Sequence, residues 1–197
     1  MIEGPSFFWL LLTTAYLLGG IPFSVIVARS KGVDLSKIGS GNFGATNVYR
    51  ALGWRYALAV FLLDAAKGAL PVWWASTMFE SPIIQVIIGF TAIFGHTFSL
   101  FLGFKGGKGV ATAAGVFLII SPIPFAITFV VVVAAIALTR MVSVGTLLGC
   151  VLLPVLLVVF HAPMVLVRFV GVIASLIIWR HRGNIARILK GTEQKIA

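Results

Sequence analysis

Long apolar runs separated by short, glycine-rich polar stretches set the pattern of this chain. A helix needs about 20 apolar residues to cross the hydrocarbon core of a bilayer. Ser6–Ala28, Trp54–Phe79, Ile83–Leu102, Val144–Phe160 and Met164–Trp179 are runs of that kind. A further stretch, Val110–Thr139, contains Ser121-Pro122-Ile123-Pro124, where two prolines remove backbone donors and resist helical continuation. It reads either as one long kinked span or as two short ones.

Charge separates those two readings, because Lys and Arg collect in cytoplasmic loops near the ends of spans. With seven spans and the N-terminus outside, the inside segments hold thirteen of the fifteen basic residues. These are Arg29, Lys31, Lys37, Arg50 and Arg55 in the first loop, Lys105 and Lys108 in the second, Arg140, and Arg180, Arg182, Arg187, Lys190 and Lys195 at the end. Six spans would carry Arg140 and the tail to the opposite side from the first two loops. The predicted fold is therefore all-α, a polytopic transmembrane helix bundle of seven spans with the N-terminus outside and the C-terminus cytoplasmic. It forms one membrane domain over residues 1–197. The fourth span, Val110–Ile120, is short for a crossing without tilt, thinning or protein cover, and reads as a half-helix beside a site.

Composition removes several classes. The chain of 197 residues is 60% hydrophobic and 10% charged, with a mean hydropathy of +1.11, which lies outside the range of soluble domains. The net charge of +10 does not imply nucleic acid, since the basic residues sit between apolar runs and not across a water-exposed face. Membrane lipid is the expected partner. The first apolar run exceeds a signal peptide's and lacks a basic flank, so it is expected to stay as a membrane helix. Cys150 lies in an apolar run and reads as packing. His96, His161 and His181 are well separated, and no H-E-x-x-H or C-x-x-C pattern occurs, so no metal or other cofactor is expected.

Two loops concentrate small and polar residues. The first reads Lys37-Ile-Gly39-Ser40-Gly41-Asn42-Phe43-Gly44-Ala45-Thr46-Asn47-Val-Tyr-Arg50, a stretch able to aim successive backbone N–H groups at an anion. Gly39, Gly41 and Gly44 match G-x-G-x-x-G, but that fingerprint requires a preceding strand, and here it joins two membrane helices. A plain flexible turn is the alternative. The second loop, Gly103-Phe-Lys105-Gly106-Gly107-Lys108-Gly109, precedes a helix starting at Val110. Backbone donors, helix dipole and ammonium groups would converge there. The same lysines could equally serve as topological anchors. No Walker A pattern is present, so the simplest ligand is a small phosphate.

The tail, His181 to Glu193, spaces Ile185, Ile188 and Leu189 for one helix face with basic residues opposite, as in an interfacial helix. Asp64 and Lys67 stand three apart within a span, a spacing that predicts an internal ion pair with a structural role. His96 and His181 fall on the same side as the glycine loops, whereas His161 falls in an outer turn.

GSGNFGATNVYR, GHTFSLFLGFKGGKGVAT and NIARILKGTE together resemble the bacterial acyl-phosphate:glycerol-3-phosphate acyltransferase family, known as PlsY. The resemblance covers essentially the whole chain, with the motifs in the family's order. It implies acyl transfer from a long-chain acyl phosphate to the 1-hydroxyl of glycerol 3-phosphate, giving lysophosphatidic acid and phosphate in phospholipid synthesis. It also implies a functional link to the enzyme that makes acyl phosphate, and a place in the bacterial cytoplasmic membrane with the active site on the cytoplasmic side. Both substrates carry phosphate and the donor carries a chain, which suits an interfacial site.

On that reading backbone N–H groups around Gly39–Gly44, with Ser40, Gly41 and Asn42, hold the acyl phosphate and stabilise developing charge. Thr46, Asn47, Arg50, His96, Lys105, Gly106, Gly107, Lys108, Ser143 and Asn184 are expected to bind substrate, with Asn184 and His181 closing the site from the tail. The acyl phosphate is already activated, so no serine or cysteine nucleophile is required. His96, His181 or a substrate phosphate oxygen could take the hydroxyl proton. Three other classes fit less well. A transporter should show outward-facing basic or glycine motifs, and the outer connections carry no Lys or Arg. An acyl-CoA-dependent enzyme of the H-x-x-x-x-D kind lacks its Asp after every histidine. A purely structural scaffold leaves the polar glycine loops without purpose.

Overall fold

The structure, a computed structural model, describes residues 5–196. Among the described residues every regular element is helical. The order is α1 (Pro5–Gly20), α2 (Phe23–Arg29), α3 (Ala45–Leu52), α4 (Trp54–Met78), α5 (Pro82–Thr97), α6 (Val110–Ile120), α7 (Pro122–Thr139), α8 (Val142–Val159), α9 (Met164–Arg180) and α10 (Arg182–Leu189). Single 3₁₀ turns lie at Leu35–Lys37 and Leu100–Leu102. Ser6–Arg29, Trp54–Met78, Pro82–Leu102, Pro122–Thr139 and Val142–Val159 are long and apolar enough to cross a membrane. A sixth is reached if α9 and α10, bent by 60°, form one span, and α6 is an apolar helix of 11 residues. The protein is thus an all-helical membrane protein with five to six candidate crossings.

Pro22 and Pro122 mark helix boundaries, whereas Pro71 and Pro154 lie within α4 and α8. Val110–Thr139 forms two helices, with Pro122 in the first turn of α7, where its missing N–H would have had no partner anyway. The run Ser6–Ala28, read from sequence as one continuous helix, is broken at Ile21-Pro22. Pro22 cannot donate into the ladder, and side chains reach the carbonyls at the break. Ser99 Oγ donates to Gly20 O (2.6 Å) and Lys67 Nζ to Ile21 O (2.7 Å). The first glycine-rich loop contains the 8-residue α3, stopped by Gly53 at φ +87°.

The chain divides into two compact units, residues 1–120 and 121–197. In the first, close helix contacts run through glycines. A Cβ on Gly19 would overlap the Ala92 carbonyl, one on Gly95 the Tyr16 carbonyl, and one on Gly68 the Thr112 carbonyl. Small residues allow backbones to touch where lipid gives helices no hydrophobic reason to associate. In the second unit α8 approaches α7 at Gly145, beside Val132 and Ile136. The Ile196 amide reaches the Arg140 carbonyl (2.8 Å).

Candidate active site

The first glycine loop has a core of its own. Leu35, Ala28, Val48 and Val60 are fully buried, with Phe43 and Tyr56 packed against them. Asp34 starts the turn by accepting from the Ser36 amide and hydroxyl (3.0 and 2.7 Å). Gly39 and Gly41 then adopt left-handed backbone, φ +52° and +65°, which a Cβ disfavours. Asn47 fixes this turn from α3, since its Nδ2 donates to Leu35 O (3.0 Å) and its Oδ1 accepts from the Ser40 amide (3.4 Å). The Gly41 amide donates to Ile38 O (2.9 Å). A Cβ on Gly39 would lie 2.6 Å from Asn47 Oδ1 and 3.1 Å from Arg50 Cδ, so three expected site residues meet here.

Two expectations change as a result. Asn47 is buried, with 1% exposure, and its amide holds the loop's own backbone, so it positions the turn. The Ser40 and Gly41 amides face Asn47 and Ile38 respectively, not outward in an anion-binding row. The N-terminus of α3 at Gly44, in contrast, has no side-chain cap. The first N–H groups of a helix lack intrahelical partners, and those of Ala45 and Thr46 stand at this end. The Asn42 amide lies beside Gly44, 3.0 Å from where its Cβ would be. Ser40 is exposed, while Thr46 and Arg50 are half-buried.

In the second loop the Gly106 and Gly107 amides donate to Thr97 O (3.0 Å) and His96 O (3.2 Å). These are last-turn carbonyls of α5, left without helical partners. The expectation that these amides converge with the lysines on one anion is therefore corrected: they cap α5. Only glycine fits, because a Cβ on Gly106 would overlap the His96 carbonyl and one on Gly107 the His96 Nε2. Lys105 is exposed at the outer edge of this strap and Lys108 half-buried, just before α6 begins at Val110.

The two loops meet at a small, partly open cleft lined by Phe43 on one side and Gly106 and Gly107 on another. Its floor carries Asp64, Lys67 and His96, and Ser24 and Ser99 add hydroxyls. The ion pair expected from the three-residue spacing is present, Lys67 Nζ to Asp64 Oδ1 at 2.7 Å, both side chains at most 3% exposed. Ser24 and Ser99 were not singled out from sequence. Each sits in a mostly apolar run, and only the break at Ile21-Pro22 brings them together.

In the second unit, Ser143 and Asn184 come together through a residue that sequence reasoning gave no role. Glu193 Oε1 accepts from Ser143 Oγ (2.8 Å) and Asn184 Nδ2 (2.6 Å), and Oε2 accepts from Arg187 Nε (2.7 Å). Burial of Glu193 works to raise its pKa, but hydrogen bonds from Asn184, Ser143 and Arg187 outweigh it and hold the carboxyl below its ordinary range. An acid in an otherwise basic tail was the only available signal. His181 is buried at the α9–α10 bend, with Nδ1 2.8 Å from Ile177 O. Only a protonated Nδ1 can donate to that carbonyl, which leaves the lone pair of neutral imidazole on Nε2.

Apolar helices carrying a glycine-lined cleft with a buried ionic floor define an integral membrane protein built around a polar site. The comparisons narrow this class. The family model for glycerol-3-phosphate acyltransferase matches residues 9–191, and the chain belongs to that family. It is 45% identical to glycerol-3-phosphate acyltransferase of Thermus thermophilus over 188 residues, 95% of this chain and 94% of that one. It is 41% identical to the Geobacter sulfurreducens enzyme, covering 94% and 96%. The crystal structure of PlsY (YgiH), an integral membrane glycerol 3-phosphate acyltransferase in its glycerol 3-phosphate form, superposes with a TM-score of 0.92 at 41% identity, covering 96% of each chain. Its lysophosphatidic acid form gives 0.89 at the same identity, covering 96% of this chain and 95% of that one.

Proposed function

We propose that this membrane acyltransferase moves the acyl group of a long-chain acyl phosphate to the 1-hydroxyl of glycerol 3-phosphate. The hydroxyl oxygen attacks the acyl carbonyl, the carbonyl carbon–phosphate oxygen bond breaks, and inorganic phosphate leaves with lysophosphatidic acid as product. The observation that carries the reading is the glycine-loop cleft of a chain 41% identical to a protein solved in glycerol 3-phosphate and lysophosphatidic acid forms.

The uncapped N-terminus of α3, with Asn42 beside it and Ser40 exposed nearby, supports binding of the acyl phosphate. Arg50 and Lys105 supply cations for the phosphate of the acceptor, and Lys108 neutralises either phosphate. His96 belongs to the floor of the same cleft. Asn184 is assigned to glycerol 3-phosphate through the tail motif, His181 stands just before that motif, and Ser143 shares the Glu193 carboxylate with Asn184. A general base is then His181 through Nε2, or a phosphate oxygen of the substrate itself. Because the donor is activated, positioning supplies much of the rate. Seven crossings, with α6 as the short one and the N-terminus outside, follow from the one-sided distribution of Lys and Arg. That distribution supports chemistry on the cytoplasmic face, and the family supports a bacterial inner membrane and a functional link to the enzyme that makes acyl phosphate.

The test is purified protein in lipid with glycerol 3-phosphate and palmitoyl phosphate, following phosphate release and lysophosphatidic acid, with palmitoyl-CoA as the alternative donor. Product from acyl phosphate alone supports the donor assignment. Product from the CoA ester with none from acyl phosphate overturns it.

A further inference from the structure

We infer that Asp64 and Lys67 are positioning residues whose buried ion pair sets the place of the second glycine loop through His96, and thereby the affinity for glycerol 3-phosphate. This rests on the reading that the loop carrying Lys105 and Lys108 holds the acceptor. The pair is costly where it sits. Burying two charges requires desolvation that their mutual attraction seldom exceeds, and an apolar replacement is often neutral or stabilising. Ionisable groups within a membrane helix therefore point to function before stability.

The geometry shows what the pair is attached to. Lys67 Nζ donates to Ile21 O at 2.7 Å, the carbonyl exposed by the Pro22 break, and packs 5.6 Å over the Phe23 ring. Toward Asp64 Oδ1 it makes an ion pair at 2.7 Å without an aligned hydrogen bond. The same oxygen faces His96 Nδ1 at 3.8 Å. His96 in turn lies directly under the loop, since its carbonyl accepts from the Gly107 amide and its Nε2 occupies the space a Cβ on Gly107 would need. That same Cβ would lie 2.8 Å from Phe43 O of the first glycine loop. A line of polar groups thus runs from the helix break through Lys67, Asp64 and His96 to Gly107, along the floor of the cleft, with Asp64 and His96 in electrostatic contact at 3.8 Å and not hydrogen-bonded. Neither charged group needs to touch substrate. Their effect passes through the imidazole to a loop with no room for slack.

The experiment compares the wild-type enzyme with Asp64→Asn/Lys67→Met, which removes both charges together and so leaves no orphaned ion. His96→Gln tests the same link from its other end. Lys105→Ala reports on the loop itself. In lipid, with palmitoyl phosphate and glycerol 3-phosphate, the pair variant is expected to raise KM for glycerol 3-phosphate tenfold or more, with KM for the donor unchanged. His96→Gln should show the same selective shift, and combining it with the pair variant should add little. A purely structural pair would lower the active fraction and leave both KM values at wild type, and that result overturns the inference. Should the pair variant fail to accumulate, wild-type KM values in His96→Gln overturn it equally. If Lys105→Ala leaves KM for glycerol 3-phosphate unchanged, it is the assignment of the loop that fails. A shift in Lys105→Ala without one in the pair variant or His96→Gln sinks only the role of Asp64 and Lys67.

Discussion

Gly106→Ala separates a packed strap from a flexible turn. A Cβ on Gly106 would overlap the His96 carbonyl oxygen, with Thr97 O at 2.8 Å and His96 C at 2.9 Å. All three atoms are backbone of the last turn of α5, so no side chain can rotate away. The loop must lift, breaking the 3.0 Å bond from its amide to Thr97 O and moving Lys105 and Lys108 with it. Overpacking of this kind costs about 1–3 kcal/mol of stability, and a misplacement of about 1 Å at a reacting centre can cost roughly a hundredfold in rate. We expect kcat/KM for glycerol 3-phosphate to fall about a hundredfold, or ~2.7 kcal/mol, with a lower thermal midpoint. Phosphate release from palmitoyl phosphate gives the kinetics, and Gly171→Ala, where a Cβ meets nothing within 4 Å, is the control. Wild-type kinetics and melting in Gly106→Ala would refute the strap.

Lys105→Ala should cost about ten- to a hundredfold in kcat/KM, the equivalent of one charge-assisted hydrogen bond of roughly 1.5–3 kcal/mol, with Lys105→Arg retaining part of the activity; an unchanged value in the steady-state assay removes Lys105 from the site. Asn47→Ala should lower stability by about 1–3 kcal/mol and slow turnover, because the Leu35 carbonyl and Ser40 amide both lose their partner, and thermal unfolding reads the first effect. Glu193 is held below its unfolded value of 4.5, so its stabilisation is fully present above that pH and is lost as pH falls through the lower folded value. Glu193→Gln should therefore be less stable than wild type at neutral pH, with the gap closing in acid, and a gap independent of pH in thermal melts contradicts the charged hub. His181→Ala should remove the acidic limb of the pH–rate profile if Nε2 takes the proton, whereas a retained limb assigns the proton to a substrate phosphate.

How much could be read in advance depended on how local each cause is. The break before Pro122 and the Asp64–Lys67 pair were legible because a proline's missing donor and a three-residue helical spacing act within one turn. The break at Ile21-Pro22 escaped because hydropathy does not register a lost N–H inside an apolar run. The glycines of the second loop were found, but their purpose was misread. Whether an amide faces an anion or a carbonyl depends on its partner, and the partner of Gly107 is the end of α5, eleven positions back. Glu193 was illegible for the same reason, since Ser143 lies 50 residues away.

The position of the cleft follows from a membrane constraint. Within hydrocarbon, non-helical backbone is tolerated only where protein covers it or where it lines a cavity. The first unit breaks its helices at Ile21-Pro22 and again after Thr97. Tyr16 Oη reaches Phe98 O (2.9 Å), Ser99 Oγ reaches Gly20 O, and Lys67 Nζ reaches Ile21 O, so each break is held by a side chain from another part of the unit. The same breaks supply the walls of the cleft: Ile21 and Pro22 on one side, Ser99 and Leu102 on another, with Gly106 and Gly107 above. Interrupting two neighbouring helices side by side thus creates unsatisfied backbone, the need to cover it, and a polar space bounded by apolar helices. A reaction joining a water-soluble phosphate to a lipid chain requires a space of that kind, where charged headgroups can be held at the edge of the membrane while the chain remains among the helices.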